Sequence, residues 1–171
     1  MWYTVNNRRN DKMHRIDKII KDKRFINRMN DIKVAEEERI FCGHGYDHLM
    51  SVARIAYILV LEEKLDIPKD YVYAAALLHD IGRHSELEKE MNHRNAGPHI
   101  ARPILIDAGF SEDEAEEICE AIRQHGTFPE EKGNLAGVLY RADKVSRDCF
   151  SCAAHEECNW PPQKKNEFIK V

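Results

Sequence analysis

Residues 71–83 read Tyr-Val-Tyr-Ala-Ala-Ala-Leu-Leu-His-Asp-Ile-Gly-Arg, an apolar run that ends in an imidazole and a carboxylate. Ala and Leu favour helix. A helix apolar on every side belongs in the middle of a core rather than on its surface. Asp66-Ile67-Pro68-Lys69-Asp70 precedes it as a helix start, proline being tolerated in a first turn, and Gly82 ends it. The spacing predicts a helix over 71–80 with His79 continuing the stripe of Val72, Ala75 and Ala76, so that His79 and Asp80 stand at its buried end.

Outward from this helix the apolar residues keep a helical period. Met13, Ile16, Ile19, Ile20 and Ile26 predict a helix over 11–29, and a short one follows over 32–41. Cys42-Gly43-His44-Gly45-Tyr46 breaks the pattern, with Asp47 as N-cap of a helix reaching about residue 64. The polar segment 83–95 is expected to be irregular. A helix should begin at Ala96 or Pro98 and run to Ala108, stopped by Gly109, with Pro103 predicting a kink or a late start. Ser111-Glu112-Asp113-Glu114 is a capping box for a helix running to His125 and stopped by Gly126. After a loop over 127–133, Leu135, Val138, Leu139, Ala142 and Val145 predict a long helix extending to about residue 154. No alternating strand pattern, repeat or low-complexity stretch interrupts this. The expectation is an all-α, single-domain compact bundle of about six to eight helices spanning 1–171. Its parts would be N-terminal helices over 1–40, a core over 44–147 and a cysteine-containing segment over 148–171.

Composition narrows the function. With 171 residues, 43% hydrophobic and 33% charged, the chain can bury a core without disulfides and is not a disordered tail. Residues 1–10 lack the apolar run of a signal peptide, no segment reaches membrane-spanning length, and five cysteines are an odd number. A cytoplasmic protein with reduced thiols, acting away from membranes, is the expectation. The net charge of −4 argues against a nucleic-acid coat. Residues 1–30 carry nine Lys or Arg against three Asp, and a solvated helix face is the simpler explanation of that surplus. A homo-oligomer is compatible with the sequence.

The chemistry lies in polar groups on otherwise apolar faces. His48 lies in line with Val52, Ile55 and Leu59; His79 and Asp80 close the central helix; His125 falls three residues after Ile122; Asp143 sits beside Leu139 and Ala142. One buried histidine is usually a hydrogen-bonded core residue. Burying several unpaired imidazoles and carboxylates from four helices costs several kcal/mol each unless they share a partner, and a metal ion is the simplest such partner.

Asp47-His48-Leu49 with the following Val52-Ala53-Arg54-Ile55-Ala56, Leu77-Leu78-His79-Asp80-Ile81-Gly82-Arg83 and Tyr140-Arg141-Ala142-Asp143-Lys144 together resemble the HD superfamily of metal-dependent phosphohydrolases. The match spans residues 44–147. A subset of that superfamily adds two histidines, and His93 and His125 stand in matching settings. The chain is similar to small bacterial members that split symmetrical dinucleoside tetraphosphates, but Gly126 stands where those often carry a threonine.

The resemblance implies that His48, His79, Asp80 and Asp143 hold one divalent ion. His93 and His125 would hold a second, with Asp80 bridging and iron or manganese as the metal. It implies hydrolysis of a phosphoester or phosphoanhydride of a nucleotide-like small molecule by metal-activated water. Arg83 and Lys144, each next to a ligand, are the candidates for phosphate contacts. His44 and His84 are candidates for the mouth of the site, and His99 is the alternative to His93. Two other functions use the same frame: a di-iron oxygenase and a non-catalytic metal-stabilised regulatory domain.

Cys149, Cys152, His155 and Cys158 form a C-x2-C-x2-H-x2-C run whose ligand types suit structural zinc. Three-residue steps on a regular helix turn back by about 60° each, so the segment must break near His155 to close such a site. Incidental thiols are the simpler reading there, and Cys42 and Cys119 read as core residues.

Overall fold

The computed structural model describes residues 13–87 and 91–170. The leader-free stretch expected over 1–10 and the basic residues Arg8, Arg9 and Lys12 lie outside the described residues. The described chain forms eight α-helices and no strand: α1 (Met13–Lys21), α2 (Lys23–Ala35), α3 (Tyr46–Glu62), α4 (Lys69–Leu78), α5 (Arg83–Leu87), α6 (His93–Ala108), α7 (Glu112–Gln124) and α8 (Leu135–Val145). Short 3₁₀ turns follow at Cys149–Ser151 and Pro162–Lys164. The chain is all-α.

Helix α4 is the axis. Val72 and every residue from Ala74 to Leu78 are buried, and α1, α3, α6, α7 and α8 all pack on it. The alanines let these neighbours approach closely. Leu77 and Leu78 supply the bulk, and truncating either to Ala should cost about 2–5 kcal/mol. The starts of α3 and α6 and the ends of α7 and α8 meet around the C-terminal end of α4, which is what builds the site.

The boundaries differ from the sequence expectation where local polar chemistry outweighs the period. The helix expected over 11–29 is two helices. Asp22 is extended and its carboxylate accepts from the Arg24 amide at 2.8 Å, capping α2. Ile32 belongs to α2, and 36–45 is turn and loop because Glu36 spends its carboxylate on the His44 amide, 2.9 Å away. Gly45, not Asp47, is the N-cap of α3, and Asp47 instead lies in the first turn, where a carboxylate meets the positive helix end.

Residues 83–87 are helical rather than irregular, and α6 starts early. Asn92 caps it by accepting from the Arg94 amide at 3.0 Å, so the late start expected from Pro103 does not occur and Pro98 and Pro103 both lie inside the helix. The Ser111–Glu114 capping box forms as expected. The last helix stops at Val145, short of residue 154, because Ser146 turns back on it and its hydroxyl donates to the Asp143 carbonyl at 2.8 Å.

The basic N-terminal face is not wholly solvated. Arg15 reaches inward to the fully buried Asp70, donating from Nε at 2.9 Å, and also pairs with Glu114 at 2.7 Å. Among the described residues no helix is long and apolar enough to cross a membrane.

Candidate metal centre

Six side chains from five helices and their ends converge. His48 comes from the first turn of α3, His79 caps the C-terminus of α4, and Asp80 is the next residue. His93 opens α6, His125 caps the C-terminus of α7, and Asp143 lies near the end of α8. The approach of α6 to the turn after α4 requires a glycine: a Cβ on Gly82 would stand 2.3 Å from the His93 carbonyl oxygen and 2.7 Å from the Gly97 amide. Gly82 thus does more than end α4; it lets His93 reach Asp80.

Asp80 lies between two groups of nitrogens. Its Oδ2 is 2.9 Å from His79 Nε2 and 3.6 Å from His48 Nε2, while its Oδ1 is 3.7 Å from His125 Nε2 and 4.0 Å from His93 Nε2. Asp143 Oδ1 completes the first group at 3.3 Å from His48 Nε2 and 3.8 Å from His79 Nε2. In the second group the two Nε2 atoms of His93 and His125 are 3.2 Å apart. The ligand atoms of His48, His79 and Asp80 lie within 4.8 Å of one another, and so do those of Asp80, His93 and His125.

Ring orientation follows from the helix ends. His79 Nδ1 donates to the Ala76 carbonyl at 2.7 Å, and His125 Nδ1 donates to the Ile122 carbonyl at 2.5 Å. A carbonyl only accepts, so a proton sits on Nδ1, and in the neutral ring the Nε2 lone pair then faces the centre, the arrangement that carries a metal ligand. His79 Nε2 is fully buried and, despite its nearness to Asp80, makes no aligned hydrogen bond. A cation among these nitrogens and carboxylates would satisfy it.

The electrostatics agree. Burial, reinforced by His79, pushes the His125 ring down to about 4, so it is neutral and able to donate a lone pair near pH 7. Burial alone would raise Asp143 and Asp80, but His48, His79 and, for Asp143, Lys144 outweigh it, so both carboxyls are held below their ordinary range. His79 moves upward on balance, since Asp80 and Asp143 outweigh its burial.

A cleft of about 560 Å³ opens over the centre. Arg83 and Lys144 both line it, with Lys144 Nζ 2.5 Å from Asp143 Oδ2. His44 is buried at its edge with Nδ1 2.5 Å from Glu36 Oε1. His84 is not among the lining residues, and His99 is exposed on α6. Sequence reasoning missed Arg39, Arg94 and Arg147, which add positive charge to the same cleft, and the aromatic rings of Phe41 and Trp160. Arg147 donates to His48 Nε2 at 3.0 Å and lies 3.6 Å from Asp143 Oδ1. Its position one helical turn after Asp143 was the available signal.

The zinc site whose ligand types the cysteine run offers is not supported. Among the described residues no three of Cys149, Cys152, His155 and Cys158 bring ligand atoms within 4.8 Å of one another. His155 instead pairs with Glu167 at 3.0 Å and Glu156 at 3.2 Å. Cys119 is a core residue as expected, whereas Cys42 is half-buried beside a cavity.

Comparison with known proteins gives the family. The family described as HD domain matches residues 45–148. A protein of Clostridium beijerinckii described as uncharacterized is 39% identical over 154 residues, which cover 90% of this chain and 97% of that protein. A Ribonuclease Y of Mycoplasma mycoides is 31% identical over 99 residues, which span 58% of this chain but 21% of that enzyme. No solved structure matches.

Proposed function

The chain belongs to the HD domain family, whose members are generally metal-dependent hydrolases, and we propose that it hydrolyses a phosphoester or phosphoanhydride of a nucleotide-like small molecule. One observation carries this reading: the two oxygens of Asp80 face two different groups of imidazole nitrogens. His48, His79 and Asp143 would hold one ion, His93 and His125 a second, and Asp80 both. Mixed imidazole and carboxylate donors suit iron or manganese. When bound, such a pair supplies a water that ionises near neutral pH and positive charge opposite phosphoryl oxygens.

The chain's own residues do the rest. Arg39, Arg83, Arg94, Lys144 and Arg147 place five cations around one cleft, which favours an anionic substrate over dioxygen. Arg83 and Lys144, adjoining Asp80 and Asp143, would bind and orient the phosphoryl group being cleaved. Phe41 and Trp160 offer flat faces on which a base could stack. His44, held by Glu36 and kept largely neutral because burial lowers it, stands where it could accept a proton at the mouth. Residues 1–171 would act as one HD domain.

The test is a panel of nucleoside mono- and polyphosphates, dinucleoside polyphosphates and short RNA, run with manganese- or iron-loaded protein. The reading expects hydrolysis of at least one nucleotide on the panel, followed by separation of the products, and lost on chelation. Dioxygen uptake with no hydrolysis on the panel would replace it with the oxygenase reading.

A further inference from the structure

Four of the five cysteines face one cavity of about 270 Å³ beside the metal centre. Cys42 comes from the loop between α2 and α3, and Cys149, Cys152 and Cys158 come from the segment after α8, more than a hundred residues later. The thiols are free. Their proximity is electrostatic as well as geometric, since each of the other three bears on the Cys42 thiol, adding to the burial that pushes it up.

The segment itself needs an explanation. From 146 to 170 the chain has no α-helix, and only Cys149, Ala154 and Asn166 are buried. Apart from the half-buried Trp160, its larger apolar side chains Phe150, Phe168 and Ile169 face outward. Hydrophobic burial therefore cannot account for the segment's path, and irregular segments with so little core are usually stapled by disulfides or metal. Local turns present the thiols: the Cys152 amide donates to the Cys149 carbonyl at 3.2 Å and the His155 amide to the Cys152 carbonyl at 3.1 Å. Asn166 ties the returning chain to α8, donating to the Lys144 and Arg147 carbonyls at 2.7 and 2.9 Å.

Spacing decides what such a staple is. Ligands of one zinc ion sit about 2.3 Å from it, so their sulfurs are at most about 4.6 Å apart. Among the described residues no three of these thiols meet that limit. In a four-iron cluster each thiolate binds its own iron, so the four sulfurs surround a larger body, which an open cavity accommodates and a single ion would not require. Two cationic side chains, Arg147 and Lys165, line the cavity and offset the negative charge of such a group. Lys165 is fixed by donating to the His155 carbonyl at 2.7 Å.

We propose that Cys42, Cys149, Cys152 and Cys158 are the thiolate ligands of an iron–sulfur cluster of the four-iron, four-sulfide class, which staples the C-terminal segment to the α2–α3 loop. The cluster stands next to the HD centre: His48 lines the cavity, and Cys42, Arg147, Cys158 and Trp160 line both cavity and cleft. Its structural effect is to hold Trp160 at the rim of the cleft.

The test is acid-labile sulfide, which the histidine–carboxylate centre does not supply, so it reads this site alone. The full chain, purified without oxygen or reconstituted with ferric iron, sulfide and a thiol that reduces part of that iron, is expected to carry about four labile sulfides and a broad visible absorption bleached by dithionite. Cys42→Ser and Cys152→Ser should each lose most of the sulfide while keeping the helical circular dichroism. Cys119→Ser, in the core, should retain it. Wild-type protein without labile sulfide after reconstitution would overturn the proposal. So would one thiol-bound zinc per chain, or a Cys42→Ser chain with wild-type sulfide.

Discussion

Helix α4 carries a buried carboxylate at each end, and the two are treated differently. Asp70, in the first turn, is fully buried and accepts two N–H bonds from the guanidinium of Arg15, which also stacks over the Phe110 ring at 3.8 Å. Asp80, just past the last turn, is 5% exposed and faces imidazole nitrogens of His48, His79, His93 and His125. A guanidinium is a permanent cation, so the charge at the first end is balanced within the chain, although Asp70 Oδ1 itself accepts no hydrogen bond. The neutral His125 ring offers a lone pair to a carboxylate that also offers lone pairs, so the second end calls for a cation from outside. One end is architecture and the other is a site.

Substitutions at the two ends should separate these roles. The largest effect is expected from Asp80→Asn, which keeps the shape but removes the bridging charge. Metal content and hydrolysis should fall together, by more than the 10–100-fold typical of losing a group that merely supports a ligand. Arg15→Ala should do the opposite: it leaves Asp70 buried without its partner and should cost about 3–5 kcal/mol in urea unfolding, with metal content unchanged. Equal metal loss in both variants would erase the distinction. His125→Ala should lower metal content by about one ion per chain, since it removes a ligand from one group only. An unchanged count would show a single-ion centre.

The smallest effect expected is a pH dependence in the metal-free protein. The His125 ring is pushed down to about 4 by burial and His79, against an ordinary value of about 6.5. Between those values the unfolded chain binds more protons at this residue than the folded one, so its contribution makes stability fall as pH drops from 6.5 to 4 and then level. Metal-free His125→Asn should therefore lose less stability than wild type across that window in thermal melts. A steeper loss in the variant would contradict the assignment of a neutral, buried ring.

The contrast between α4 and the C-terminal segment also marks how far the sequence could be read. The Ala-Leu run of α4, the Ser111–Glu114 capping box and the apolar stripe of α8 announce their helices because propensity, period and caps agree there. His48, His79, Asp80, His125 and Asp143 were visible as polar groups on apolar faces, and His93 came from resemblance alone. Other features depended on contacts between distant residues. Asp22 splits the first helix by accepting one amide hydrogen bond. Arg15 looked like a surface cation until Asp70 was found opposite it. Cys42 looked like core because nothing local ties it to Cys149, and Arg39, Arg94 and Trp160 join the cleft only once α2, α6 and the tail have packed.

Manganese titration of the metal-free protein asks whether these histidines and aspartates hold cations. Binding followed by electron paramagnetic resonance should reach two ions per wild-type chain, with Asp80→Asn losing most of that capacity. A wild-type chain that binds no manganese, or an Asp80→Asn chain that binds as much as wild type, would contradict that role.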